Sequence, residues 1–255
     1  ARPIAGGGDD RVMVSPADCR STYYCSVDEA TEFWIKGKNF LVAKLFGGTF
    51  ANLEKTDLYS ASRCSLAIFR LAPQDYHRFH SPVAGTVKYI KKVEGEYYTV
   101  NPMAIRSQLD VYGENVRTLV AIETQQFGTV VMACIGAMMV GLIVMLVEEG
   151  QTVSRGDEIG YFKFGGLTVV VLVESQNFEF DQDLIDNLRA SVETLVRVGQ
   201  SVGHHREISE LEHKHVDFAS QTPKFKINLI RVLTGGDRKS LSNWEAEELA
   251  CRFGE

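Results

Sequence analysis

Short runs of apolar and β-branched residues recur along the chain, and turns rich in glycine and proline separate them. Runs of this length and composition are typical of β-strands. The predicted strands are residues 11–19 (ending at a proline turn that presents Asp18), 27–37 (with a turn), 65–71, 169–173 and 192–198. Short helices are predicted at residues 40–46, before Gly47-Gly48, and at residues 181–188. The chain is therefore predicted to be mainly β with a few short helices (α+β).

A Val-Glu-(Glu)-Gly pattern that leads to a further valine occurs twice, in residues 93–100 and 147–153. Glycine between valines is typical of a hairpin in which the glycine adopts a positive φ. The pattern is similar to the hairpins of biotinyl and lipoyl domains. The two copies predict a duplicated, barrel-sandwich-like β core.

Residues 129–147 form an apolar run of nineteen residues. Its length is close to the minimum of about 17–20 residues for a membrane-spanning helix. However, Gly136 and Gly141 interrupt the run, and no basic residues flank it. We therefore expect two buried strands with a bend at Gly136.

Both ends of the chain are polar. Residues 1–10 are predicted to be a flexible lead-in. Residues 1–203 are predicted to form the β-rich domain, and residues 204–255 a C-terminal extension of unknown role. The extension contains a predicted strand at residues 224–233 and a terminal helix opened by a capping box of Ser242 and Glu245. Its histidines are interpreted as part of a solvated segment rather than a metal site: His204, His205, His213 and His215.

The net charge of −6 argues against nucleic acid as a partner. The five cysteines are an odd number without CxxC spacing, which favours a reduced intracellular compartment over a disulfide framework or a zinc site. No signal peptide is recognisable at the first residues. We expect an intracellular protein that is soluble or peripherally associated with a membrane.

Two stretches carry candidate chemistry. In the first, Asp75-Tyr76-His77-Arg78-Phe79-His80, the two histidines are compatible with a metal site, an acid–base pair or ordinary polar residues of a turn. No third ligand is apparent, so no metal is predicted. In the second, Gly165-Gly166 separates an aromatic strand from a β-branched strand, which indicates a need for backbone freedom or close approach.

The sequence resembles the phosphatidylserine decarboxylase family from about residue 2 to residue 203. The resemblance rests on several separated motifs in the same order: Ser15-Pro16-Ala17-Asp18, Asp75-Tyr76-His77-Arg78-Phe79-His80-Ser81-Pro82, Tyr98-Thr99-Val100-Asn101-Pro102, Glu114-Asn115-Val116-Arg117, Ile135-Gly136-Ala137, Gly156-Asp157-Glu158-Ile159-Gly160-Tyr161-Phe162 and Phe164-Gly165-Gly166. The chain departs from the family at one position, because Leu167 stands where the family has its self-cleavage serine.

The resemblance implies a site. In the family, a serine after the glycine pair attacks the preceding carbonyl and becomes a pyruvoyl cofactor, activated by an aspartate and a histidine that correspond to Asp18 and His80. His77 corresponds to a group beside the substrate. The implied substrate pocket comprises Tyr76, Phe79, Gly165, Gly166, Leu167 and Thr168. Leucine has no hydroxyl, so we expect no pyruvoyl, and alternation along the strand is expected to point Thr168 away from Asp18 and His80.

Three hypotheses follow. The first is a repurposed enzyme that isomerises or cyclises a small, flexible amphiphilic or apolar molecule, in a pericyclic reaction for example. The second is an uncleaved, inactive form of a genuine decarboxylase. The third is a non-catalytic relative that binds lipid or a partner protein. Contact with a membrane and assembly as a homodimer stay open.

Overall fold

The computed structural model describes residues 3–33, 42–47, 62–99, 110–137, 142–163, 167–190 and 192–212. Within these ranges the protein is mainly β, as predicted. The strands are β1 (Val12–Val14), β2 (Cys19–Tyr24), β3 (Cys64–Leu71), β4 (Arg78–His80), β5 (Gly85–Val93), β6 (Arg117–Thr124), β7 (Gly128–Ile135), β8 (Ile143–Met145), β9 (Thr152–Val153), β10 (Glu158–Phe162), β11 (Leu167–Glu174), β12 (Phe178–Phe180), β13 (Thr194–Val196) and β14 (Ser201–His205). The helices are α1 (Val27–Phe33), α2 (Val42–Leu45), α3 (Val111–Glu114) and α4 (Gln182–Arg189), with a 3-10 turn at Ser175–Asn177.

An antiparallel sheet of eight strands forms the centre, in the order β13-β2-β3-β11-β7-β6-β5-β9. Strand β11 lies inside this sheet and pairs with β3 on one side and β7 on the other. Its sequence is almost entirely β-branched or aliphatic, and residues 167–173 are buried on both faces. A strand buried on both faces has a continuous apolar run rather than an alternating one, which explains the Val-rich sequence.

Two three-stranded sheets flank the centre. One has the order β1-β14-β12 and joins the two ends of the described chain. The other has the order β4-β10-β8, and its strand β4 carries the second histidine of the Asp75–His80 stretch. This smaller sheet positions the candidate site.

Several predicted elements are confirmed. Residues 65–71 lie in β3, residues 169–173 in β11, and residues 181–188 in α4 with its N-cap Asp181. Of the predicted helix at residues 40–46, residues 42–45 form α2, and residues 40–41 lie outside the described ranges. Residues 192–198 contain β13, which lies at the edge of the central sheet.

The strand predicted for residues 27–37 is wrong for the described part, because residues 27–33 form helix α1. The Ser26 hydroxyl accepts a hydrogen bond from the Glu29 amide at 3.1 Å, and the Glu29 carboxylate accepts one from the Cys25 amide at 2.8 Å. This reciprocal capping satisfies amides that a helix end leaves unpaired, and it outweighs the modest helix propensity of the segment.

The apolar run at residues 129–147 divides as expected, but only its first half is fully buried. Strand β7 is in the central sheet, with its last six residues buried. Strand β8 belongs to the smaller sheet and is half-buried, and the adjacent Leu142 and Leu146 are 53% and 50% exposed. Among the described helices, none has the length and apolarity to cross a membrane.

The two copies of the glycine pattern differ in structure. Gly150 has φ +86° in a turn before β9, as the hairpin prediction requires. Gly95 has no positive φ. A Cβ at Gly95 would instead lie 2.2 Å from the Glu114 carbonyl oxygen, so glycine is needed there for close approach of two backbones.

Residues 3–10 are packed against the domain, so the prediction of a flexible lead-in is wrong for them. The buried Arg155 guanidinium donates hydrogen bonds to the carbonyl oxygens of Ala5 at 2.7 Å and Gly7 at 2.5 Å. The Ala5 amide donates to the Gly199 carbonyl at 2.8 Å. Because Arg155 and Gly199 are about 150 and 190 residues away along the chain, the local glycine-rich composition did not reveal these contacts.

His204 and His205 lie in β14 and not in a solvated segment. His204 is buried, and its Nδ1 is 3.2 Å from the carboxylate of the buried Asp181. The other two histidines and the strand and helix predicted for the extension lie outside the described ranges. The division of the chain at residue 203 stays a prediction, although β14 continues two residues beyond it.

Candidate functional site around His80

His80 ends β4, and its ring is held by a turn distant in sequence. Its Nδ1 lies 2.8 Å from the carbonyl oxygen of Gly156. A carbonyl oxygen can only accept, so in the neutral ring Nδ1 carries the proton and Nε2 has the lone pair. The Tyr76 hydroxyl lies 3.3 Å from Nε2, and the two rings stack with their centroids 5.8 Å apart. In this orientation a neutral His80 presents the Nε2 lone pair to the Tyr76 hydroxyl.

The turn that holds His80 is itself tightly constrained. Gly156 has φ +82°, and its amide donates to the Ser81 carbonyl at 2.8 Å. The Asp157 carboxylate accepts from the Ser154 amide at 2.7 Å and closes the turn. A Cβ at Gly156 would lie 2.4 Å from the Cδ1 of Ile4, so the N-terminal segment covers this turn.

Asp18 is the last residue of the turn between β1 and β2. One of its carboxylate oxygens accepts a hydrogen bond from the Val198 amide at 2.8 Å. The turn also reaches β4, because the His80 amide donates to the Pro16 carbonyl at 2.8 Å. The structure therefore brings the Asp18 turn and His80 together through backbone contacts.

His77 has the opposite tautomer. Its Nε2 lies 3.2 Å from the Pro73 carbonyl oxygen and is therefore protonated in the neutral ring. Its Nδ1 is buried and has no hydrogen-bond partner in the described structure. The two histidines thus offer lone pairs on different ring nitrogens.

Leu167 is the first residue of β11 and is 0% exposed. It pairs with Leu71 at the end of β3. The Phe162 amide, at the end of β10, donates to the His77 carbonyl at 3.0 Å. Leu167 comes five residues after Phe162, so the Cα atoms of these two residues lie at most about 18 Å apart. Gly165 and Gly166, both predicted to belong to the site, lie outside the described ranges.

Phe79 and Thr168, predicted to line the pocket, are both fully buried. The Phe79 ring packs against Phe162 with centroids 4.9 Å apart, within the hydrophobic core. Thr168 follows Leu167 in β11, so its side chain lies on the opposite face of the sheet. Cys19, next to Asp18, is no alternative nucleophile, since burial raises the pKa of its thiol well above the usual value.

Sequence reasoning missed the groups that orient the candidate residues His80 and Asp18. These groups are the Gly156 carbonyl and the Val198 amide, and backbone atoms have no signature in side-chain patterns. The Arg155-Gly156-Asp157 tripeptide did carry a turn signal, but nothing in the sequence linked that turn to His80. Among the described residues, no three His, Cys, Asp or Glu side chains are grouped as a metal site.

Comparison of the sequence with known proteins identifies the family of this chain. A sequence model described as phosphatidylserine decarboxylase matches residues 1–204. Phosphatidylserine decarboxylase proenzyme 2 of Komagataella phaffii is 51% identical over 92% of this chain, and that of Saccharomyces cerevisiae is 45% identical over 93%. These alignments therefore continue into the C-terminal extension.

The chain corresponds to only part of the length of these relatives. The chain spans 23% and 21% of the two yeast proteins. The phosphatidylserine decarboxylase proenzyme of Chlamydia pneumoniae is 41% identical over 80% of this chain, which corresponds to 65% of the bacterial protein. The family motifs, their order and the match over residues 1–204 agree: this chain belongs to the phosphatidylserine decarboxylase family.

Proposed function

We propose that this chain is a pyruvoyl-free member of its family, which stays uncut and uses the old active-site region for acid–base chemistry on a small amphiphilic molecule. The proposal is supported by Leu167, which stands where the motif resemblance places the self-cleavage serine of the family. Formation of a pyruvoyl group begins with attack by a serine hydroxyl on the preceding carbonyl, and the side chain of Leu167 contains only carbon and hydrogen. The residue present therefore does not fit the cofactor.

Energetics argue against decarboxylation without that cofactor. Enzymes lower a barrier by about 8–23 kcal/mol. Positioned acid–base groups contribute roughly 10²–10⁴-fold, or about 3–5 kcal/mol. This is too little to replace an electron sink. An acid–base contribution of this size is sufficient for an isomerisation or cyclisation, because holding a flexible substrate in a reactive shape supplies most of the acceleration in such a reaction.

The proposed roles follow from the ring tautomers. His80 Nε2 accepts a proton from the substrate or returns one, and the Tyr76 hydroxyl beside it relays that proton. Asp18 supplies negative charge next to the β1–β2 turn, and His77 offers a second lone pair through Nδ1. The exposed Leu142 and Leu146 flank β8 in the same small sheet and support an amphiphilic substrate.

The first test is the mass of the purified protein under denaturing conditions. We expect one species near 28.4 kDa. Two fragments separated between residues 166 and 167 would overturn the proposal, because they would show that the chain cleaves itself without the serine.

A second candidate is an inactive form of a genuine decarboxylase, favoured by the retention of Asp18 and the oriented His80. Leu167→Ser separates the two, with Leu167→Ala as the control that lacks a hydroxyl. Self-cleavage of the serine variant, together with release of CO2 from phosphatidylserine vesicles, would favour the second candidate. If the serine variant stays whole, the surroundings have diverged and our proposal is supported.

Turnover is tested by profiling a cell extract incubated with the uncut protein. We expect a compound to be converted into an isomer of unchanged mass, and we expect His80→Gln to abolish the conversion. If no compound changes with the wild-type protein, the catalytic proposal fails and the chain acts as a binding protein.

A further inference from the structure

The turns at residues 154–157 and 197–200 are built in the same way. The third residue of each is a glycine with positive φ, +82° at Gly156 and +87° at Gly199. The side chain of the fourth residue accepts a hydrogen bond from the amide of the first, at 2.7 Å in both turns. We name them the Gly156 turn and the Gly199 turn.

Each of these turns holds one candidate residue of the site. His80 donates a hydrogen bond from its Nδ1 to a carbonyl of the Gly156 turn at 2.8 Å. The Gly199 turn donates an amide to the carboxylate of Asp18, also at 2.8 Å. The position of His80 relative to Asp18 therefore depends on how the two turns are placed relative to each other.

Matching serine–proline segments lie against the two turns. Ser81-Pro82 lies against the Gly156 turn and Ser15-Pro16 against the Gly199 turn, and each serine forms two backbone hydrogen bonds with its turn. The carbonyl of each proline accepts the amide that precedes the serine of the other segment, from His80 at 2.8 Å and from Val14 at 2.9 Å. The site thus consists of two similar halves that face each other.

One methyl group contacts both halves. A Cβ added to Gly156 would lie 2.4 Å from the Cδ1 of Ile4, and a Cβ added to Gly199 would lie 2.9 Å from the same atom. Distances this short leave no room for a second carbon atom. The Cδ1 of Ile4 therefore occupies the space that the missing side chain of each glycine leaves.

The segment that carries Ile4 is bonded to both turns. The Ala5 amide donates to the Gly199 carbonyl at 2.8 Å. Arg155, the second residue of the other turn, donates to the carbonyl oxygens of Ala5 at 2.7 Å and Gly7 at 2.5 Å. These hydrogen bonds fix the backbone on either side of Ile4, so its side chain is held in place against the two turns.

We propose that Ile4 is a positioning residue, whose Cδ1 sets the spacing of the Gly156 turn and the Gly199 turn and so holds His80 and Asp18 in one relative geometry. Without this methyl group the turns lose a shared packing contact and move into the space that it filled. The role deepens the proposed function and rests on it for the chemistry of His80 and Asp18, whereas the spacing of the turns is independent of any substrate.

Ile4→Val tests the inference, because it removes the Cδ1 and keeps the β-branched shape. We expect the neutral His80 ring to shift from the Nδ1–H towards the Nε2–H tautomer, as reported by its ring ¹⁵N chemical shifts. We also expect the Val198 amide, which donates to Asp18, to exchange with deuterium at least about threefold faster. A merely structural role would move neither signal.

Ile90→Val is the matched control. Ile90 lies in β5, is also partly buried, and packs against the hydrophobic core. Both variants lose one methyl group, so both should lower Tm by a similar amount, about 1–6 °C. The inference is overturned if Ile4→Val leaves the His80 ring and the Val198 amide as they are in the wild type, or if Ile90→Val changes them equally.

Turnover separates this inference from the proposed function. For a compound that the wild-type protein converts, we expect Ile4→Val to lower kcat by about tenfold and to leave KM nearly unchanged, since misplaced groups slow the chemical step. If the NMR signals of His80 and Val198 change while kcat does not, the proposed chemistry of His80 and Asp18 fails, and the positioning of the turns by Ile4 stands.

Discussion

The Nδ1 of His80 and the carbonyl oxygen of Gly156 are 2.8 Å apart and join positions separated by 76 residues. In a hydrolase triad a carboxylate accepts the hydrogen bond from Nδ1–H. In this protein a backbone carbonyl accepts it, in a turn that Ile4 covers. The ring orientation of His80 therefore depends on a backbone conformation that only glycine adopts easily.

Gly156→Ala should release His80. The φ of +82° costs an alanine about 1–2 kcal/mol, and its Cβ would displace Ile4. As the carbonyl moves, the neutral ring should shift from the Nδ1–H towards the Nε2–H tautomer, which ring ¹⁵N chemical shifts report. Gly150→Ala is the control, since Gly150 has φ +86° with no atom within 4 Å of the added Cβ. An unchanged tautomer in Gly156→Ala would contradict this account.

The buried His204–Asp181 pair should make stability depend on pH. The hydrogen bond to Asp181 raises the pKa of His204 above its usual 6.5. The folded state thus holds the proton more tightly, so the stabilisation is fully present below pH 6.5 and is lost as pH rises through the raised value. Between these two values, the free energy of unfolding should fall by at most about 1.4 kcal/mol per pH unit.

Urea unfolding at several pH values between 5.5 and 8.5 measures this slope. Asp181→Asn should flatten it, since the neutral amide no longer favours the protonated ring. His205→Gln, at the neighbouring position of β14, should leave it in place. A slope that survives Asp181→Asn would assign the effect to another group.

Asn115 should be a major contributor to stability. It is fully buried, its Oδ1 accepts from the Tyr98 amide at 2.9 Å, and its Nδ2 donates to the carbonyls of Tyr98 at 2.7 Å and Gly136 at 2.8 Å. Asn115→Ala leaves these backbone groups without partners and should cost about 2–4 kcal/mol in urea unfolding. Asn187→Ala, which removes one side-chain hydrogen bond, to Thr194, should cost less. Equal losses would refute this role of Asn115.

Arg155→Lys should loosen the N-terminal segment without unfolding the core. Lysine keeps the charge but cannot reach the carbonyls of Ala5 and Gly7 with a planar fork. Hydrogen exchange should therefore accelerate at the Ala5 amide, and limited proteolysis should cut near Gly6. Arg189→Lys, on the exposed end of α4, serves as the control. Unchanged exchange at Ala5 would show that other contacts hold the segment.

The sequence alone determined the β-rich class, the family, and four strands of the central sheet, β3, β7, β11 and β13; it did not predict β2, β5, β6 or β9. Strands β3 and β11 were predicted closely, because apolar β-branched residues that are buried on both faces leave a strong pattern. That Leu167 stands at the position of the family's serine stays a prediction from the motif. The capping pair of Ser26 and Glu29 is also present in the sequence, although the residues that follow it predict a strand.

Only the tertiary structure decided how these segments meet. Asn115, recognised from its motif alone, proves to join the segments at Tyr98 and Gly136, and Arg155 holds a segment 150 residues earlier. His80 and Asp18 are oriented by the carbonyl of Gly156 and the amide of Val198. Every residue except proline carries the same backbone amide and carbonyl, so side-chain patterns cannot reveal which of them will meet a distant side chain. That choice follows from the strand order and register of the folded sheets.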